Sequence, residues 1–433
     1  MKQNMLICAP VSSRSGYGAH ARDLVWSFLN LGKYDIKILD VPWGDTPRDV
    51  FKSKNISENE KKILECIIGD PSVITQQPDI YVDIRIPNEF QTAGKFNIGI
   101  TAGIETNAVS QNWLDSCNKM DLVIVPSEHS KTGFINSAFE KMQNLPNGQQ
   151  QKVGDLRLEK PIEVLFEGAD EDIYKPINNA SLEYVDDIPE DFSFLFVGMW
   201  GKGGFGEDRK DIGTLIKTFY EAFANKKEKP SLILKTSGAS PSMIDREECL
   251  KKINNIKNLF PKDWDLPNVY FLHGNLTDKE MNKLYNHPKV KAMVSFTHGE
   301  GFGRPLLEAT MTGLPVMTTG WSGQMDFLDP DLSLLLPGEL KKVPQSAHWE
   351  NIIIPESSWF IVDTNSAYKG LNMLFNDYDK HKKNAEKQKK LNEKFTLDNM
   401  SIELGKIMDK YVSDLPKQVE LKLPKLKKVG EPV

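Results

Sequence analysis

The chain has 433 residues, of which 39% are hydrophobic, 26% charged and 9% aromatic, with a net charge of −6. At roughly 100–200 residues per domain this predicts two to four domains. A core-forming composition of this kind excludes a disordered, collagen-like or disulfide-scaffold chain, and a mildly acidic balance argues against a general nucleic-acid binder.

In chain order, residues 4–9 read as a buried strand and 10–18 as a small-residue loop. Ala21, Leu24, Val25, Phe28 and Leu29 then follow the spacing of a helix face, Gly32 suits its C-cap, and 35–41 is the next strand. A strand–helix–strand unit of this length predicts a parallel sheet. Further strands are expected at 80–84, 96–101, 122–125 and 162–166, with 144–151, centred on Pro146-Asn147-Gly148, as a surface excursion. The stretch 175–191, rich in proline, asparagine and acids, reads as a hinge. A second alternation follows, with strands at 192–197, 232–235, 269–272, 292–296, 316–318 and 359–362. The lysine-rich stretch 380–394 reads as a solvated helix face, with acceptor or membrane-surface contact as the alternative. The last helix spans about 397–412, capped by Thr396, and the tail 413–433 is expected to be extended.

No apolar run approaches the roughly 18 residues a membrane helix needs. The N-terminus leads into a strand-length run, unlike a signal-peptide core. Cys8, Cys66, Cys117 and Cys249 are scattered with no C-x-x-C pair, which argues against a metal site or disulfide framework and fits a cytoplasmic location.

The chemistry concentrates in His298-Gly-Glu-Gly-Phe-Gly-Arg-Pro-Leu-Leu-Glu308. It follows a predicted strand, and Pro305 suits the first turn of a helix that Gly313 and Pro315 end. Gly301, Phe302 and Gly303 therefore form a tight loop feeding a helix N-terminus at the carboxyl end of a parallel strand. That is an anion site suited to a diphosphate. Glu300 and Glu308 would repel phosphates, so sugar and ribose hydroxyls are their natural partners.

The pattern E-G-F-G-x-P-L-L-E resembles the signature of the retaining family-4 glycosyltransferases, which have the GT-B fold. The resemblance extends to Val125-Pro-Ser-Glu-His-Ser130, to Phe166-Glu-Gly-Ala-Asp170 with Tyr174 and Pro176, to Phe196-Val-Gly198 with Arg209-Lys210, and to Gly320-Trp-Ser-Gly-Gln-Met-Asp326. It implies an α/β chain of two Rossmann-like halves facing across a cleft. Residues 1–178 would be the acceptor domain, 190–395 the nucleotide-sugar donor domain, and 396–433 a helix crossing back with its lysine-rich tail.

The resemblance also implies roles. Glu300 would hold hydroxyls of the donor sugar and Glu308 the ribose diol. Gly301, Phe302 and Gly303 would approach the sugar and phosphates by backbone. Arg209 and Lys210 would neutralise the diphosphate, and Gly274 and Asn275 would lie near the base, with Lys235 a weaker candidate. Gly16, Tyr17 and Gly18 form the loop after the first strand and would reach the donor phosphate or acceptor. They lack the G-x-G-x-x-G spacing of a nicotinamide enzyme. His20, opening the next helix, is expected half-buried. Many relatives carry a histidine near 101–106; none aligns here, and Glu105 is the nearest polar candidate. Asp170-Glu-Asp172 matches a D-x-D pattern but lies in the domain-closing segment, and no metal or other cofactor is expected.

The implied reaction is transfer from a UDP-, GDP- or ADP-linked sugar to an acceptor hydroxyl of a glycan, polysaccharide or lipid-linked sugar. The run Asn286-His-Pro-Lys-Val290 with Ser295-Phe-Thr-His-Gly-Glu-Gly-Phe-Gly-Arg304 resembles glycosyltransferases of tailed bacteriophages and environmental bacteria. Hydroxymethylated DNA therefore stays open as an acceptor. So does a non-catalytic protein that binds nucleotide sugar or glycan, and the oligomeric state is not readable.

Overall fold

The computed structural model describes residues 2–52, 56–144, 150–238 and 240–412. In the first half, β1 (Gln3–Ala9), β2 (Tyr34–Asp40), β3 (Ile80–Ile84), β4 (Phe96–Ile100) and β5 (Leu122–Val125) precede a hairpin of β6 (Phe139–Asn144) and β7 (Gln150–Leu156) and then β8 (Ile162–Val164). Six of these make a parallel sheet in the order β2-β1-β3-β4-β5-β8. The second half repeats the plan with β9 (Ser193–Met199), β10 (Ser231–Ser237), β11 (Val269–Leu272), β12 (Val290–Ser295), β13 (Val316–Thr319) and β14 (Leu334–Leu336). Its parallel order is β11-β10-β9-β12-β13-β14. All five residues of β3 are buried, as expected where helices cover both faces of a parallel sheet.

The first helix, Gly16–Leu31, starts where the Ser15 hydroxyl accepts the Gly18 amide at 3.0 Å, and it ends at Gly32 in the left-handed conformation (φ 65°). Ala21, Leu24, Val25 and Phe28 are wholly buried against the sheet. The final helix, Leu397–Val412, also lies on this half. Met400, Leu404 and Met408 join the core of the first sheet, and Ser401 Oγ meets Ser27 Oγ at 2.9 Å. Thr396 caps it through the Asn399 amide at 3.2 Å. The chain thus crosses between the halves twice. The two crossings touch, with Ala169 N donating to Phe395 O (2.9 Å) and Leu397 N to Ala169 O (2.9 Å).

Several expectations change. The segment 359–362 belongs to β16 (Ser358–Val362), which pairs antiparallel with β15 (Gly338–Lys342) in a separate ribbon. The sixth strand of the sheet is β14, a three-residue run too short to give a periodic signal. The stretch 175–191 is no free hinge. The Lys175 and Ile177 amides donate to Asn282 Oδ1 (3.2 Å) and Asn286 Oδ1 (3.0 Å), fastening it to the second half. The excursion expected at 144–151 falls between the paired strands β6 and β7, and its residues 145–149 lie outside the described residues, as does the tail 413–433. The lysine-rich stretch lies on the helix Tyr378–Asn392, where Lys382 and Lys389 both pair with Glu386.

The ribbon and its connection hold the halves together. Asn107 N donates to Ser358 O at 3.0 Å, Ser358 N to Asn107 Oδ1 at 2.7 Å, and Ser110 Oγ to Asn351 O at 2.9 Å. No helix among the described residues is long and apolar enough to cross a membrane.

Candidate active site

The carboxyl ends of both sheets face each other. From the second, β12 runs into the loop 296–303 and then the helix Arg304–Met311, whose N-cap is Gly303 at φ 100°. Only glycine adopts that backbone without strain. The amides of Gly301, Phe302, Gly303 and Arg304 donate to no group among the described residues. This leaves the positive end of the helix open to an anion. The Phe302 ring is buried between Phe327 and Phe395, so this residue can offer a ligand only backbone.

The loop packs very closely on the first half. A Cβ on Gly301 would stand 2.0 Å from Ala102 O, and one on Gly299 would stand 2.0 Å from Glu105 O. The Gly301 carbonyl accepts from Ser127 Oγ at 2.5 Å and Ser130 Oγ at 3.4 Å. The Glu128 amide donates to Asp326 at 2.9 Å. Tyr17 supports the same contact from behind. Its hydroxyl accepts from Ala102 N (3.0 Å) and bonds Thr101 Oγ1 (2.7 Å), and its ring stacks on Trp43 with centroids 3.9 Å apart. Gly18 is tight, since a Cβ there would meet Ser13 O at 2.2 Å, whereas Gly16 faces open space.

Four charged groups meet beside this loop. Glu300 accepts a hydrogen bond from Lys210 Nζ and one from Arg209 Nη1 at 3.4 Å. Glu105, from the other half, lies 3.4 Å from Arg209 Nε. Burial pushes Glu300 up, but Lys210 and Arg209 outweigh it and hold its carboxyl below the usual range. Burial pulls Lys210 down, with Glu300 opposing. Two residues in the left-handed region flank the cluster: Asp211 (φ 47°), which caps the helix Ile212–Phe223, and Ser322 (φ 77°). Ser322 Oγ accepts the Glu300 amide at 2.9 Å. Such backbones cost of order 1–3 kcal/mol each and persist where the surroundings fix them.

Glu308 lies one turn inside the helix. Its carboxylate accepts from Arg304 Nε at 2.8 Å and from Tyr285 OH at 3.2 Å, and burial pushes its pKa up to about 7 against the pull of Arg304. The Arg304 guanidinium also contacts Asp23, on the first helix of the other half. His20, one turn before Asp23, is 2% exposed rather than half-buried, and neither ring nitrogen has a partner among the described residues. Burial pulls its pKa down to about 4. Further along the edge of the second sheet, Gly274 (φ 104°) accepts from Lys235 Nζ at 2.7 Å, and Asn275 is exposed beside it.

The structure thus brings Glu105, Arg209, Lys210 and Glu300 into one cluster against Gly301–Gly303, while among the described residues no hydrogen bond joins Gly16, Gly274 or Asn275 to it. The sequence reading missed Arg304, Asp23, Tyr285 and Ser322. Arg304 fills the variable position of the signature, and Asp23 lies three residues after His20 on one helix face; neither spacing names a partner in the other half.

Residues 215–353 match the family model of glycosyl transferases group 1. Over that stretch the chain is similar to the group 1 glycosyl transferases. Its fold is GT-B. Over 94% of this chain and all of the other, it superposes on HepE of Anabaena, solved with UDP and glucose, at 13% identity and a TM-score of 0.59. Sucrose-phosphate synthase of Thermosynechococcus elongatus gives 13% identity and a TM-score of 0.60 over 94% and 99% of the two chains. A glycosyltransferase of Rickettsia africae gives 14% and 0.58 over 95% and 99%. No curated protein sequence matches the chain.

Proposed function

We propose that this glycosyltransferase is a retaining enzyme of family 4 that moves a sugar from a nucleotide diphosphate to a hydroxyl of a glycan, polysaccharide or lipid-linked sugar. The observation that carries the reading is the junction of Arg209 and Lys210 with the open amides of 301–304. Two cations and a helix N-terminus converge where a departing diphosphate would need its charge met. Glu300, freed from Lys210 by the incoming phosphates, turns to hydroxyls of the donor sugar. Glu308 meets the ribose diol, and Glu105 faces the reacting centre from the acceptor half. In a retaining transfer without a covalent nucleophile, the leaving phosphate oxygen takes the acceptor's proton as the new glycosidic bond forms on the face it vacates. UDP-glucose is the first donor to test, because HepE is solved with UDP-glucose as well as with UDP.

The test is turnover of UDP-sugars by Lys210→Met and Glu300→Gln, with circular dichroism as the fold control. Because Lys210 and Glu300 are buried partners, removing one strands the other, so the double variant serves as the stability control. Each change is expected to lower turnover by about a hundredfold or more. Wild-type turnover in both would overturn the site, and an inverted anomeric configuration in the product would overturn retention.

A further inference from the structure

We infer that Arg304 is a positioning residue: held by Asp23 of the opposite half, it sets the Glu308 carboxylate for a ribose diol, so that selection of the ribose depends on the juxtaposition of the two halves. The inference rests on the reading of Glu308 as the ribose partner and adds the residues that make that grip conditional.

Arg304 is the first residue of the helix Arg304–Met311. It spends one edge of its guanidinium on each half of the molecule, Nε on Glu308 and Nη1 on Asp23. Asp23 has no other side-chain partner among the described residues, since His20 beside it makes no hydrogen bond. Glu308 receives one hydrogen bond on each oxygen, from Arg304 and from Tyr285. A carboxylate has about four acceptor positions. The plane of Glu308 is therefore fixed while one position on each oxygen stays free, the arrangement that accepts two neighbouring hydroxyls. Without Asp23, the guanidinium loses the anchor that orients it. A lysine at 304 could not serve both carboxylates with a planar fork.

Calorimetric titration of the full-length protein with UDP and with 2′,3′-dideoxy-UDP tests this. The readout is the ratio of the two affinities, which a change that merely loosens the fold leaves alone. Wild type is expected to prefer UDP. Asp23→Asn, an isosteric change that removes the anchoring charge without altering residues 304 and 308 themselves, and Arg304→Lys are each expected to cut that preference about tenfold, with dideoxy-UDP binding unchanged. A wild-type ratio in both variants would overturn the inference while leaving Glu308 as the ribose partner. Equal binding of the two nucleotides by wild type would overturn the ribose reading itself, and this inference with it.

Discussion

Glu105 pairs with Arg209, and this makes the sign of its effect on nucleotide binding predictable. At 3.4 Å the Glu105–Arg209 attraction is about 5 kcal/mol gross at an effective dielectric of 20. The two side chains are 29% and 24% exposed, so solvent screens much of it. Exposed pairs keep only about 0–1 kcal/mol; with most of each side chain covered, this pair is taken to retain about 1–2 kcal/mol of the gross attraction. A diphosphate reaching Arg209 must displace that carboxylate or share the cation with it. Glu105→Gln should therefore tighten UDP binding about 5–30-fold, the equivalent of about 1–2 kcal/mol. It should also lower sugar transfer, if Glu105 serves the reacting centre. Titration calorimetry at low and high salt reads both the gain and its origin. The gain should shrink as salt rises, because the interaction removed is between charges. Unchanged or weaker UDP binding by Glu105→Gln would refute the competition.

Two further effects concern stability. Leu404 is fully buried in the core of the first sheet although it comes from the end of the chain, so Leu404→Ala should cost about 2–5 kcal/mol, read by denaturant unfolding followed in the first half. Unfolding free energy within a few tenths of wild type would show that the crossing helix is not part of that core. His20 is the second: its folded pKa of about 4 lies below the ordinary 6.5, so its contribution to stability is present above pH 6.5 and lost as pH falls through 4. That loss amounts to about 3 kcal/mol at full protonation, and His20→Phe should abolish it; an equally steep acid loss in the variant's thermal unfolding would assign the effect to another group.

The sheets were legible because each strand is a local apolar run. The segments 80–84, 122–125 and 269–272 were read to the residue, as β3, β5 and β11. What failed depended on partners far away in the chain. β14 has three residues and takes its place by pairing with β13, while β16 looks like a sheet strand and instead pairs with β15. The stretch 175–191 has the composition of a free linker, yet two asparagine side chains on the second half hold its amides. Proline and acidic residues report what a segment can do when unbound, and say nothing of the carbonyl or amide that waits for it.

The loop 301–303 could be derived from spacing alone, because a strand, a glycine turn and a proline at the start of a helix are all local. The balance of charge around it could not. Both signature glutamates looked out of place beside an anion site. Each is in fact answered by a cation: Glu300 by Lys210 and Arg209, which lie about 90 positions earlier, and Glu308 by Arg304. The two arginines are shared in turn with a carboxylate of the opposite half, Glu105 for Arg209 and Asp23 for Arg304. Arg209, one of the charges that would draw in a diphosphate, is therefore also one of the charges that join the two halves. On the proposed reading, an incoming diphosphate would weaken the Glu105 contact by competing for Arg209, but it would have no such claim on Arg304, whose partner Glu308 is assigned to the ribose. The two interdomain ion pairs should thus respond to donor in opposite ways, one released by the phosphates and the other kept as the ribose is gripped.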